Sequence, residues 1–152
     1  MASSQQFCTF VLKGQVFGVP VQRVQEVIRY QQMTRVPLVS ESVRGLINLR
    51  GQIVTAIDLR RCLGLPPREA DRVPMNVVVR TDDGPISLLV DEIGEVLEVQ
   101  RSDREAPPET LRGQIRTMVR GVYKLPTYLL LELDIARAIA ADTVEETTLV
   151  QT

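Results

Sequence analysis

A chain of 152 residues has room for one globular domain, or for two small lobes folded together around a real core, but not for a third unit. With 18 basic against 19 acidic side chains the net charge is −1, which gives no field able to gather nucleic acid or an anionic membrane. No apolar run approaches the roughly 20 residues that cross a bilayer, and the opening MASSQQF lacks the charged-then-apolar pattern of a signal peptide, so a cytoplasmic protein without direct membrane insertion is expected.

Short runs rich in Val, Ile, Leu, Thr and Phe recur along the chain between turn signals. FCTFVL and QVFGV, containing Cys8, come first. Pro20 then suits a first helical position, and Val21, Val24 and Ile28 recur on one face with Val27 beside them, which predicts a short helix. GLINL and QIVTAI follow as strands. Asp58 is placed to cap a helix in LRRCLG, where Leu59, Cys62 and Leu63 share a side, with Gly64, Pro66 and Pro67 ending it. Residues 66–74, PPREADRVP, read as a surface connection. NVVVR, ISLLV and EVLEV are further strands, with a turn expected at Gly94; QRSDREAPPETLRG, residues 100–113, is a second surface connection. IRTMVRGV and TYLLLEL read as the last strands, Asp134 caps a helix in IARAIAA, and residues 142–152 read as a mobile tail after a single domain spanning 1–141. The two cysteines, in apolar surroundings, are expected as small thiols rather than a disulfide. Many short strands and few helices suggest small barrels or a sandwich, and since one small barrel uses about half of such a chain, two barrels are the natural count.

The stretch GLINLRGQIVTAIDLR, residues 45–60, carries the sharpest question. A two-residue turn at Arg50-Gly51 sets Leu49 against Gln52, Asn48 against Ile53 and Ile47 against Val54. One side then carries Leu46, Ile53, Ile57 and Leu59, and the other Ile47, Leu49, Val54 and Ala56. A hairpin with one wet face needs only one apolar side. Either this pair lies between its own barrel core and a neighbouring helix, or its second side is a docking surface.

Hardware for catalysis is scarce. The chain has no histidine, which removes the commonest general base and metal ligand together, and two distant cysteines make a poor zinc site. There is no Walker A loop, no G-x-G-x-x-G and no G-x-S-x-G elbow. Asp91, Glu92, Glu95 and Glu98 lie close together, and a hydrolase built on Asp91 and Glu92 is conceivable, yet strand alternation turns most of these acids to solvent and the chain has no Trp. No catalytic residue, cofactor or metal is therefore assigned. Arg112, Arg116 and Arg120, evenly spaced, would share one face of an extended strand, and this motivates an alternative reading as a nucleic-acid-binding double β-barrel. Stacking rings are missing from that row: Tyr123 falls on the opposite parity, and a solvated or locally paired face explains it as well.

GLINLRGQIVTAIDLR, ISLLVDEIGEVLEV, and then PP before RGVYKL and LLLELD, in this order and spacing, resemble the CheW family of chemotaxis coupling proteins from about Phe7 to Ala141. The resemblance implies a mainly β fold of two five-stranded Src-homology-3-like barrels packed side by side with a few short helices and a hydrophobic groove between them. It implies a non-enzymatic adaptor that couples a methyl-accepting chemoreceptor to a CheA-type histidine kinase, is monomeric when isolated and is recruited from the cytoplasm to membrane-associated receptor arrays. The kinase's regulatory domain would be one partner and the receptor's cytoplasmic helical tip the other. Residue by residue, it carries Gly45, Leu46, Asn48, Leu49, Arg50 and Gly51 onto the turn associated with kinase binding and complex assembly, and Val21, Val24, Ile93 and Val96 onto the receptor groove. Nothing in the resemblance selects among flagellar chemotaxis, twitching and other circuits.

Overall fold

In a computed structural model that describes residues 3–30, 32–35 and 42–140, the alternating runs pair into two five-stranded mixed sheets. β1 (Ser4–Leu12) and β2 (Gln15–Pro20) form a hairpin in the first sheet. The chain then crosses to the second sheet, laying down β3 (Val24–Ile28), β4 (Val43–Leu49), β5 (Gln52–Asp58), β6 (Met75–Thr81) and β7 (Gly84–Val90). It returns to the first with β8 (Glu92–Gln100), β9 (Val119–Lys124) and β10 (Leu129–Leu133). The spatial orders are β8-β1-β2-β10-β9 and β3-β6-β7-β5-β4, with parallel pairs at β2–β10 and β5–β7. Two short α-helices, α1 (Leu59–Cys62) and α2 (Gln114–Met118), and a helical run at 135–140 fill the connections.

Local chemistry accounts for most of these elements. Arg50 and Gly51 both take positive φ, 52° and 88°, the two-residue turn whose twist matches a hairpin, and the register is Leu49 to Gln52, Asn48 to Ile53 and Ile47 to Val54 as the alternation predicts. The Asn48 side chain locks this turn by accepting from the Gly51 N–H at 2.9 Å. Asp58 caps α1 by accepting from the Arg60 N–H, and Asp134 accepts from the Arg137 N–H at 3.0 Å. Both cysteines are thiols, Cys62 buried and Cys8 half-buried.

Four expectations fail for identifiable reasons. Residues 20–28 do not form a helix: after a single 3-10 turn at Val21–Arg23 they form edge strand β3. Val24 pairs with Val79 and Val27 with Val77, so the irregularity at Gln25 puts two valines three residues apart on one sheet face, and that spacing imitates a helical stripe. Gly94 makes no turn but lies within β8, where a side chain would collide with the Thr9 hydroxyl. IRTMVRGV divides into α2 and the start of β9. That division scatters the arginine row: Arg112 lies before α2, Arg116 within it and Arg120 in β9, so the strand face behind the nucleic-acid reading does not exist. Residues 142–152, the expected tail, lie outside the described residues.

Both faces of each sheet are used. The inner face of the first sheet holds Phe7, Val99, Tyr123 and Leu130, and that of the second holds Ile47, Val54, Ala56 and Leu89. The outer faces meet in the largest cluster, where Phe10, Phe17, Val19 and Leu131 from one sheet pack with Ile57, Val77, Val79 and Leu88 from the other. The lobes thus share a core.

A charged knot pins the return crossing. Asp91, with a side chain only 9% exposed, accepts from the Lys13 backbone N–H at 2.8 Å and from Arg60 Nε and Arg68 Nε at 2.9 Å each. Burial opposes its ionisation, but hydrogen bonds from Arg60, from the Lys13 N–H and from Arg68 outweigh that and lower its pKa to about 2. A carboxylate depressed below its ordinary value of 3.8 stabilises the fold above that value, and the contribution disappears as pH falls through about 2. Urea unfolding should therefore lose on the order of 2 kcal/mol attributable to this group between pH 5 and pH 2. In Asp91→Asn the same measurement should give a weaker fold at neutral pH and a shallower acid slope.

Candidate functional site

The hairpin of β4 and β5 shows why both of its sides are apolar. Ile47, Val54 and Ala56 turn into the second barrel, while Leu46, Asn48, Ile53 and Thr55 lie on the outer face that Ile57 shares. Leu59, grouped with them from the sequence, is buried in the shared core at the start of α1. The shared core covers Ile57, but Ile53 remains 60% exposed and Leu46 is half-buried. Among the described residues no helix covers this end of the hairpin. Leaving Ile53 in water forgoes about 1 kcal/mol that a covering surface would recover.

β3 and β4 are opposite edges of the second sheet, yet Arg50 beyond β4 reaches Glu26 in β3 with a fork of two hydrogen bonds, Nη1 to Oε2 at 2.8 Å and Nη2 to Oε1 at 3.0 Å. The sheet has curled until its edges meet. This pair bridges the two edges and orients the exposed guanidinium. Glu26 is a site residue that the sequence reading missed. No local signal connects it to a turn 24 residues downstream, and only an acid among the valines and isoleucine of this strand hints at it.

Gly45 has φ +155°, and a Cβ there would lie 2.6 Å from the Thr34 carbonyl oxygen. The glycine lets residues 33–34 lie against β4, where Thr34 and Leu46 exchange two backbone hydrogen bonds of 2.9 and 2.8 Å. Its role in the structure is packing of the loop against the hairpin.

Three of the four groove residues, Val24, Ile93 and Val96, fall on two edge strands, and Val21 lies in the 3-10 turn before one of them. Val96 lies on β8, opposite Cys8 and on the sheet face that includes Val19 and Phe10, and is 56% exposed. Ile93, on the same face, is half-buried against the shared core. Val24 and the 40% exposed Val27 lie on β3, on the outer face of the second sheet. Val24 also packs on the shared core, and Val21, in the 3-10 turn, lies beside Gln6 and Glu98. The shared core therefore comes to the surface at an edge strand of each lobe, as rows of valine and isoleucine. Val27 was noted in the sequence only as a neighbour of a helical stripe.

The ionisable groups singled out from the sequence are committed elsewhere. Asp91 is committed to donors on Lys13, Arg60 and Arg68, and Glu92 is exposed and stands 3.8 Å from Arg72, so the acid pair considered from the sequence is not assembled as a pair. Among the described residues no three His, Cys, Asp or Glu side chains stand together to hold a metal ion, and no helix is long and apolar enough to cross a membrane.

Two five-stranded barrels fused through one core, with partly exposed valine and isoleucine side chains on β3 and β8, are the fold of a known scaffolding family. The chain belongs to the CheW family: the family model for the CheW-like domain matches residues 6–143. It is 29% identical to the chemotaxis protein CheW of Bacillus subtilis over 87% of this chain and 85% of that one. It is 27% identical to the CheW of Treponema pallidum over 90% and 82%. The crystal structure of the scaffolding protein TtCheW from Thermoanaerobacter tengcongensis superposes with a TM-score of 0.77 at 25% identity, covering 88% of this chain and 86% of that one. The fold is accordingly that of CheW, two Src-homology-3-like subdomains, and the protein is a non-enzymatic member of a scaffolding family.

Gly45→Ala should destabilise the fold by about 1–3 kcal/mol, read as a lower urea midpoint, because it forces a strained φ and a backbone clash together. An unchanged midpoint would show that the loop at Thr34 yields freely and that Gly45 has no packing role.

Proposed function

We propose that this protein couples a methyl-accepting chemoreceptor to a CheA-type histidine kinase at membrane-associated receptor arrays, serving in the cytoplasm as an adaptor without a reaction of its own. The observation that carries the reading is the exposure of the shared core at two edge strands in a chain of this family. Val24, Val27, Ile93 and Val96 supply an apolar surface for the receptor's cytoplasmic helical tip, recognised as a helix in a groove. Val21 flanks it.

The kinase's regulatory domain takes the other surface, the outer side of the β4–β5 hairpin. Leu46 and Ile53 offer apolar area there, and Gly45, Asn48, Leu49, Arg50 and Gly51 set the hairpin's shape. Arg50 enters such an interface already oriented by Glu26, so less side-chain freedom is lost on binding. Covering a few half-exposed aliphatic side chains contributes about 1 kcal/mol each, which suits reversible contacts strengthened by repetition in an array.

Val96→Asp should weaken binding to a chemoreceptor cytoplasmic fragment about tenfold or more in calorimetry, with the thermal midpoint nearly unchanged, because the valine is mostly in solvent until the partner covers it. Val24 is a poorer place for the same substitution, since it packs on the core. Normal receptor affinity in a folded Val96→Asp protein would remove β8 from the groove. Arg50→Ala should lower kinase co-sedimentation with receptor-bearing membranes while leaving receptor binding intact; equal loss of both would make the turn a general stabiliser of the fold.

A further inference from the structure

The barrel of the first sheet holds a polar cavity on the face turned away from the shared core. Glu132 points to that inner face from β10, and the residues paired with it on both neighbouring strands are glycines, Gly18 on β2 and Gly121 on β9. One side chain is thus missing on each side of the carboxylate; Leu130 and Phe7 fill the space at Gly18, Arg104 fills that at Gly121, and a cavity of about 280 Å³ lies beside Glu132. A Cβ at Gly121 would strike the Arg104 guanidinium, so this glycine lets Arg104 lie across β9 toward Glu132.

Arg101, Arg104 and Arg120 all line the cavity, and among the described residues Glu132 is the one acid that does so, leaving a local charge of +2. Their pairing with it is loose: Arg104 Nε stands 3.4 Å and Arg120 Nε 3.9 Å from its oxygens, beyond the roughly 2.7–2.9 Å of a charge-assisted hydrogen bond. Two of the arginines are anchored. Arg101 Nη2 donates to Gln5 Oε1 at 2.9 Å and Arg104 Nη2 to the Arg120 carbonyl at 2.9 Å. The nearby acid Glu105 faces Lys124 at 3.4 Å rather than the cavity. Phe7 and Tyr123, ring centres 5.6 Å apart and almost wholly buried, form the apolar floor of the cavity.

We propose that this cavity binds a small phosphomonoester, its dianionic phosphate seated among Arg101, Arg104 and Arg120 and its organic part against Phe7 and Tyr123. A dianion matches the +2 charge, and three guanidinium groups offer forked donors to phosphate oxygens. Glu132 spaces the arginines before the ligand arrives. The volume exceeds what a bare oxyanion fills, which leaves space for an attached group. The site is separate from the hairpin and from the apolar rows on β3 and β8, so it stands or falls independently of the coupling role.

The test is a titration of the full-length 15N-labelled chain, first with inorganic phosphate and then with phenyl phosphate, ionic strength being held constant with chloride. Saturable shifts should appear at Gly121, Tyr123 and the arginine Nε–H groups, with phenyl phosphate binding tighter than phosphate. Arg120→Gln, at an exposed position, should weaken binding roughly tenfold, and Glu132→Gln should strengthen it by removing the repelling carboxylate. Shifts that chloride alone reproduces, no saturation at tens of millimolar phosphate, or unchanged affinity in a folded Arg120→Gln protein would each overturn the proposal.

Discussion

Burial of both faces of both sheets is the constraint from which the rest of this molecule follows. A five-stranded sheet curled around Ile47, Val54, Ala56 and Leu89, or around Phe7, Val99, Tyr123 and Leu130, encloses only a small cluster. Clusters of that size give a lobe of this length only marginal stability by themselves. The larger cluster between the outer faces supplies what each lacks, and it obliges the outward side of β5, β6 and β7 to be as apolar as the inward side. Such a core has to end somewhere. It ends at the edge strands, where valine and isoleucine side chains placed for burial are left partly in water. A surface suited to other proteins is therefore an extension of the packing that joins the lobes.

Charge in this protein does local work rather than setting a long-range field. The net charge of −1 conceals a knot at Asp91 that joins the β1–β2 turn, α1 and the 66–74 connection, and a fork between Arg50 and Glu26 that bridges the two edges of the second sheet. In both, an arginine satisfies a carboxylate with more than one donor, the geometry in which an ion pair offsets its own desolvation best. The acids that looked from the sequence like material for hydrolysis are thus partly fastenings.

Legibility from the sequence followed the range of the interactions. The β4–β5 register was readable because a glycine turn and strict alternation are properties of adjacent residues, and the caps at Asp58 and Asp134 are just as local. β3 was misread because an irregularity at Gln25 shifts the alternation by one residue, and two valines three apart then satisfy the helical template as well as the sheet. The arginine row failed because a helix of five residues interrupts what composition alone presents as a strand. Glu26 with Arg50, and Glu132 between its glycines, could not be seen at all. Their partners are set by barrel closure and sheet order, which no window along the chain contains.

The route of the chain has a consequence for how the molecule is made. All five strands of the second sheet, residues 24–90, lie in one uninterrupted stretch, whereas the first sheet needs both β1 and β10, some 120 residues later. During synthesis a ribosome delivers every strand of the inserted lobe before Glu92 emerges, so that lobe can close while the hairpin of β1 and β2 still waits for its partners. Phe10, Leu12, Phe17 and Val19 of that hairpin are already present to meet the outer faces of β5, β6 and β7, but the shared core stays incomplete on the nascent chain until Val119, Val122, Leu131 and Leu133 arrive on β9 and β10.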